Sequence, residues 1–261
     1  MRFLKIELFG ADSTLQLNCN SFKLYCDSIT IISVNFTLMN YALFRFSPNI
    51  KKDTYLKDPF SSELGHNIIR ESVNMIDEIG FEDFTFKKLA FRIETTEATI
   101  YRYFENKQKL LMYLTSWYWC WIEYHLALKN TNIQSPVERL QNAIRVIAHS
   151  ENYENEQLDM QRLFNIICLE SSKSYMIKNV DDMNKSGLYF NYKKIVGHIS
   201  DILLEINPEY RYPHMLISTM IEGVHHQKYF SIHLPSLTDK RENEDFIYDF
   251  YTQMTFSTIS K

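Results

Sequence analysis

Between Ser61 and Asn106 the chain carries four sites of the kind that begin helices: Ser61 or Ser62, Thr85, Thr96 and Asn106. Each offers a side-chain oxygen to the amides of a first helical turn, which otherwise lack an internal partner. The intervals between them set the helix lengths. After Ser62, Leu64, Ile68, Ser72, Met75, Ile76 and Ile79 recur at three-and-four spacing up to Gly80, which predicts an amphipathic helix of about five turns. Thr85 then opens a short helix with Leu89, Ala90 and Ile93 inward. Glu94 to Thr96 form a turn, and Glu97 to Phe104 a second short helix with Ile100 and Phe104 on its buried side. Asn106 begins a longer helix reaching about Leu128. Two short helices across a tight turn, packed on a longer one, make a helix-turn-helix.

The rest of the chain reads as helical too. Six glycines and six prolines in 261 residues are too few for a barrel or sandwich with frequent turns, so the expected class is all-α. Ser135-Pro136 starts a further series of helical blocks: Val137 to His149, Glu156 to Glu170, Gly187 to Ile206, Tyr212 to Leu234 and Glu242 to about Phe256. The expected organisation is an N-terminal extension over 1–60, the helix-turn-helix over 61–125, and a helical domain over 126–261. Three readings of the extension stay open: an over-extended reading frame with the true start at Met39, an ordered accessory segment with a strand in "SITIISVNF", or a disordered tail. Its apolar stretch is broken by Lys23, Asp27, Asn35 and Asn40 and has neither a signal-peptide pattern nor the length of a spanning helix, so a cytoplasmic protein is expected. The four cysteines include no CxxC pair and read as reduced thiols.

Charge is unevenly shared. From Phe84 to Leu110, six basic side chains face three carboxylates, a net +3 in a chain of formal charge −4, which leaves −7 for the remainder. A basic helix-turn-helix on an acidic body suits a protein that meets DNA by one end. Thr96, Ala98 and Thr99 are small where a helix must approach a major groove. Glu97 either accepts from a cytosine amino group or simply favours the helix dipole. Tyr101, Arg102 and Tyr103 have the reach to bind phosphate oxygens, with Tyr103, three residues after Ile100, the ring expected to pack instead. Lys107 adds a charge at a helix N-terminus, a natural phosphate site.

The stretch "GFEDFTFKKLAFRIETTEATIYRYFENKQKLL" resembles the DNA-binding domain of TetR-family transcriptional regulators. The resemblance rests on the Gly-Phe after the first helix, Phe84-Thr85, Leu89-Ala90, Thr96, Ala98-Thr99-Ile100-Tyr101, Tyr103-Phe104, Asn106-Lys107 and Leu110-Leu111, within about Glu63 to Tyr124. It implies a homodimer whose recognition helices enter successive major grooves of a palindromic operator. It also implies a helical domain that binds a small effector and then releases the DNA, the behaviour of a repressor. Position by position, Thr85, Thr96, Thr99, Tyr101 and Lys107 match backbone-contacting sites, and Glu97, Ala98 and Arg102 match sites that meet base edges. One departure is Glu94-Thr95 where the family has glycine and an apolar residue. A left-handed Glu94 would cost about 1 to 2 kcal/mol, and Phe91 and Ile93 are expected to compensate by extra packing.

In the body, Tyr113, Trp117, Trp121 and Tyr124 fall on one face of the helix that leaves the reading head, a stripe that reads either as core or as the wall of an effector cavity. Phe246, Phe250 and Tyr251 are candidates to complete the wall. Leu188, Tyr192, Ile195, Val196, Ile199, Ile202, Leu203 and Ile206, with Met215, Leu216, Thr219 and Gly223, read either as the dimer's four-helix bundle or as intrachain core. His225-His226 points to two sides of a helix, and with His214 and His233 it forms no metal-ligand spacing; no metal, cofactor or catalytic constellation is expected, and no enzyme. An alternative reading is a helical dimeric protein-interaction module with a degenerate helix-turn-helix.

Overall fold

Ser62 does begin the first long helix: its Oγ accepts from the Gly65 amide at 3.2 Å in a computed structural model that describes residues 4–6, 15–17, 46, 48–241 and 245–260. The chain divides into two compact units, 1–47 and 48–261. In the first, β1 (Leu4–Ile6) and β2 (Leu15–Leu17) pair antiparallel with Leu4 opposite Leu17. The strand expected in 28–36 lies outside the described residues, as do Cys19 and Cys26.

The second unit is all-α. It contains α1 (Glu63–Asp83), α2 (Phe86–Arg92), α3 (Glu97–Tyr101), α4 (Lys107–Asn130), α5 (Pro136–Ala148), α6 (Met160–Glu170), α7 (Ser172–Tyr175), α8 (Val180–Lys185), α9 (Phe190–Ile206), α10 (Pro213–His233) and α11 (Phe246–Ile259). Thr85, Thr96, Asn106, Ser135 and Asp159 cap the helices that follow them, each accepting an amide bond in the first turn. α1 turns its buried face, Ile68, Ile69, Ser72, Val73, Met75 and Ile76, toward α2 and α6. Gly80, at φ 78° and ψ 156°, takes a conformation that favours glycine and kinks α1 before its last three residues.

α4 is the central element. Every residue from Leu110 to Ile122 is buried, against the turn at Lys52–Thr54 and against α5, α6, α7 and α9. A helix apolar all round belongs inside a bundle. Each of its fully buried rings adds about 1.5 to 3 kcal/mol of transfer free energy. The helix runs unbroken across residues 125 and 126, so the helix-turn-helix and the body share one rod.

Two differences from the sequence reading have local causes. Residues 48–60 pack with the second unit rather than trailing from it: Leu56 N donates to Tyr103 O at 2.8 Å, Lys109 Nζ to Asp53 O at 2.8 Å, and Asn191 Nδ2 to Asn49 O at 3.1 Å. The turn at Pro59–Ser61 lies so close to α1 that a Cβ on Gly65 would stand 2.1 Å from the Pro59 carbonyl oxygen. These contacts are made by backbone groups, which leave no hydrophobic period to read. α7 and α8, of four and six residues, are too short to show a period either.

His225 on α10 is buried, with Nε2 at 3.2 Å from Tyr118 Oη, and burial, aided by neighbouring His226, pushes its pKa down to about 3. It therefore stays neutral in the fold at pH values where an unfolded histidine binds a proton. Its contribution to stability is present above about pH 6.5 and is lost as pH falls toward 3, by about 1.4 kcal/mol per unit. Urea titrations between pH 7 and 4 are expected to show a shallower pH dependence for His225→Gln than for the parent chain.

Candidate nucleic-acid interface and effector cavity

The turn between α2 and α3 closes with the Thr95 amide on Ala90 O at 2.9 Å, and Glu94 stands in the left-handed region at φ 52°. The geometry that a glycine would take without strain is thus imposed on a glutamate. Phe91 gives no compensating packing, because Phe86, Leu89 and Ala90 occupy the inward face of α2 and leave its ring 89% exposed. Ile93 is half-buried.

α3 starts at Thr96, whose Oγ1 accepts from the Thr99 amide at 3.3 Å and lies 2.9 Å from Thr99 Oγ1. Its regular turns end at Tyr101 instead of Phe104. Residues 102–104 follow as a tighter turn, with the amides of Tyr103 and Phe104 both on Ile100 O. Ile100 and Phe104 are fully buried, which orients the helix. At about 100° per residue within Glu97–Tyr101, Thr99 and Tyr101 then flank Ile100 at about 100° on either side, Glu97 stands about 60° from it, and Ala98 is on the outward side. Ala98, Tyr101 and Arg102 are exposed, with Glu97 and Thr99 partly so and the caps Thr85 and Thr96 exposed at the ends of the turn. Tyr101 rests edge-on against Phe86, their centroids 5.1 Å apart. Tyr103 is the packed ring, its Oη bonded to Ser62 Oγ at 2.8 Å and to Lys57 Nζ at 3.2 Å.

Lys107 stands apart from the other candidates. Its ammonium donates to the carbonyls of Phe81, Glu82 and Phe84 at 2.9, 2.9 and 3.2 Å, and sits over the Phe81 ring at 4.9 Å. It caps the end of α1 and ties it to the start of α4. Lys88 and Lys109 likewise donate to backbone carbonyls, of Asp83 and Asp53. Neutral carbonyls hold these cations without cancelling them, so the reading head keeps its positive potential. Arg92 is the exception, paired with Glu78 at 2.7 Å; its guanidinium, followed by Arg162, holds the Glu78 carboxyl below the usual range.

The aromatic stripe of α4 forms a core stack. Tyr113 lies between Tyr55 and Phe104, at 5.9 and 5.4 Å; Trp117 stacks on Trp121 at 5.7 Å, and Trp121 on Tyr124 at 5.6 Å. Phe250 does not join them. It is on α11, 55% exposed, beside Phe246 and Tyr251 in a surface cleft of about 360 Å³. A small pocket lies instead on another side of α4, lined by Met112, Thr115, Ser116 and Trp119 with Ser174, Tyr175, Leu188, Tyr189 and Tyr192. Its volume is about 20 Å³, room for about one water. Trp119 stacks on Tyr192 at 4.4 Å. Nothing in the three-and-four spacing distinguished Trp119 from its neighbours, since all the rings of this helix are inside.

The bundle residues proposed on α9 are intrachain core. Ile195, Val196, Ile199, Ile202 and Leu203 are buried against α4, α5 and α10, and after Phe190 the exposed positions of α9 are Lys193, Lys194, Asp201 and Glu205. Exposed apolar residues on α10 and α11 include Met215 at 67%, Ile232 at 68% and Phe250; others, such as Leu56, Phe91, Leu169 and Met176, lie elsewhere.

Residues 68–114, from mid-α1 into α4, match the family described as bacterial regulatory proteins, tetR family. The matched segment is the helix-turn-helix, α2 and α3 with the helix ends that flank them. The match spans under a fifth of the chain, and no curated protein matches it significantly. Solved structures extend the likeness to the body. AibR in complex with isovaleryl coenzyme A and operator DNA is 18% identical, over 72% of this chain and 95% of that one, with a TM-score of 0.51. A TetR-family transcriptional regulator from Bordetella parapertussis 12822 is 12% identical over 74% and 94%, with a TM-score of 0.50. At such identities the shared property is the fold: a TetR-type reading head on a helical body. Among the described residues no helix is long and apolar enough to cross a membrane.

Two substitutions test how the TetR-type domain is held. Glu94→Gly relieves left-handed strain and is expected to raise stability by about 0.5 to 1 kcal/mol, the flexibility of glycine in the unfolded chain offsetting part of the gain. Lys107→Met keeps the stem but strips three carbonyls of their donor, and is expected to cost about 2 kcal/mol. Both are read from urea unfolding midpoints.

Proposed function

We propose that this protein is a DNA-binding transcriptional regulator, a repressor that leaves a palindromic operator when a small apolar or aromatic effector occupies its helical body. The observation that carries the reading is the open side of α3. Ala98, Tyr101 and Arg102 are exposed on a helix that is anchored from behind by Ile100 and Phe104, in the part of the chain with surplus positive charge. Small residues at the start of α3 permit close approach to a groove, and long hydrogen-bonding residues at its end reach phosphates and bases.

In this reading Thr85, Thr96, Thr99 and Tyr101 meet the phosphate backbone, and Glu97, Ala98 and Arg102 face base edges. Lys107 acts by holding α1 to α4 and by its charge, since its N–H donors are already engaged. The functional division follows the shared rod: residues 61–125 read DNA and 126–261 respond to the effector. Dimerisation through the exposed apolar residues of α10 and α11 supplies the second reading head that a palindrome requires. AibR, a protein of similar fold whose structure contains both isovaleryl coenzyme A and operator DNA, supports the expectation of these two kinds of partner.

One observation favours a second reading, a helical dimeric protein-interaction module. Phe91 is almost fully exposed on the same domain, and a lone exposed ring suits a protein partner better than a phosphate backbone. Mobility-shift titrations against the DNA flanking the protein's own gene separate the two. A regulator of this kind is expected to form a discrete complex whose affinity falls by roughly 10³-fold or more between about 50 and 200 mM salt, as for six or more phosphate contacts in a dimer. No discrete complex, or one indifferent to salt, favours the interaction module.

A further inference from the structure

The four-residue helix α7 touches two places at once. Ser174 and Tyr175 line the small cavity beside Trp119 and Tyr192. The adjacent Lys173 is tied to the reading head: its Nζ lies 2.7 Å from Glu82 Oε1 at the end of α1, and its carbonyl accepts from Gln108 Nε2 at the start of α4 at 2.5 Å. Glu170 holds the same ammonium at 2.8 Å.

The cavity wall is chemically selective. Thr115 Oγ1 donates to Leu111 O, Ser174 Oγ to Ser171 O, and Tyr189 Oη to Ser174 O. Tyr175 and Tyr192 both donate to one oxygen of Glu222, at 2.8 and 2.7 Å. These five hydroxyl protons are therefore spent within the protein, and Ser116 Oγ accepts from Asn191 Nδ2 at 2.6 Å. Trp119 supplies the wall's buried indole N–H: the side chain is 3% exposed and Nε1 has no acceptor among the described residues. No lysine or arginine lines the wall, and a carboxylate stands behind two of its rings, so an anion is disfavoured. The indole N–H is a donor only, so it pairs with an acceptor and offers a cation nothing to bind.

We propose that the cavity under α7 is the effector site, that it takes a neutral planar molecule carrying a hydrogen-bond acceptor for Trp119, and that filling it draws α7 off the reading head. This rests on the reading of the protein as an effector-controlled DNA-binding regulator. The coupling follows from size. Sites for small ligands run to about 300 Å³ or more, whereas this one holds about one water. Entry must displace a wall. α7 is the shortest wall element, and the contacts stretched when it moves are those of Lys173 with Glu82 and Gln108. By linkage, loosening those contacts favours the ligand, and the ligand loosens the contacts.

The test is calorimetric titration of the full chain with four molecules of nearly one shape: quinoline, naphthalene, N-methylquinolinium and 2-naphthoate. Quinoline, the neutral acceptor, is expected to bind about fivefold or more tightly than the other three, the worth of one recovered buried hydrogen bond. Trp119→Phe is expected to abolish the preference for quinoline over naphthalene while naphthalene still binds. Glu82→Gln, outside the cavity, is expected to raise quinoline affinity by about two- to fivefold, the worth of an exposed ion pair, and quinoline is expected to weaken the DNA complex. Preference for either ion, a quinoline preference unchanged in Trp119→Phe, unchanged affinity in Glu82→Gln, or no binding of any of the four at millimolar concentration overturns the proposal. DNA binding in the absence of all four separates the levels: no complex there defeats the parent reading, while a complex indifferent to bound quinoline defeats this proposal alone.

Discussion

The ammonium of Lys107 fixes the geometry on which the rest of the molecule depends. Three carbonyls at the end of α1 converge on one cation at the start of α4, and a ring lies beneath it. A helix C-terminus carries partial negative charge that favours such a cation. Because α2 and α3 lie between these two ends in sequence, closing that gap sets where the turn and the reading helix can stand. The cation that resembles a DNA ligand in sequence is thus first a structural tie. Its charge still adds to the potential of the reading head, because carbonyls solvate it without neutralising it.

From this junction α4 extends inward as the axis of the body. Its buried rings make it stiff in the sense that matters here: a shift at one end has no soft surface in which to dissipate. The contacts between the body and α1 are of another kind. Arg162 reaches Glu78 at 3.1 Å and Asn165 reaches Asp77 at 2.9 Å, and with Lys173 and Glu82 they form a polar seam on a partly exposed face. Exposed polar pairs are individually weak. A packed axis beside a weak seam lets the reading head keep its fold while its attachment to the body is adjusted.

The reading head was legible in the sequence because its signals are local. Ser62, Thr85, Thr96 and Asn106 each cap the helix they were expected to cap, and Ile100 and Phe104 are buried as their spacing requires. Glu94 was legible as an anomaly, and the backbone carries the strain that the anomaly implied. The body was legible only as helices. On α4 the period that normally separates inside from outside is lost, because the middle of the helix is inside on every face, and the three-and-four stripe picked out Trp117 whereas Trp119 meets the cavity. α9 misled for a related reason: its apolar stripe is real, but the partner that covers it belongs to the same chain. Lys107 shows the limit for charged residues, since spacing places an ammonium near a helix end without saying which way it turns.

Hydroxyl-radical footprinting of the full chain on the DNA flanking its own gene tests the central claim most directly, that the open side of α3 is a DNA-reading surface presented in pairs. The account predicts two protected patches related by a dyad, their centres about one helical turn, 10 base pairs, or a multiple of it apart. Uniform cleavage along the fragment, or protection confined to a single patch without a dyad, would contradict it.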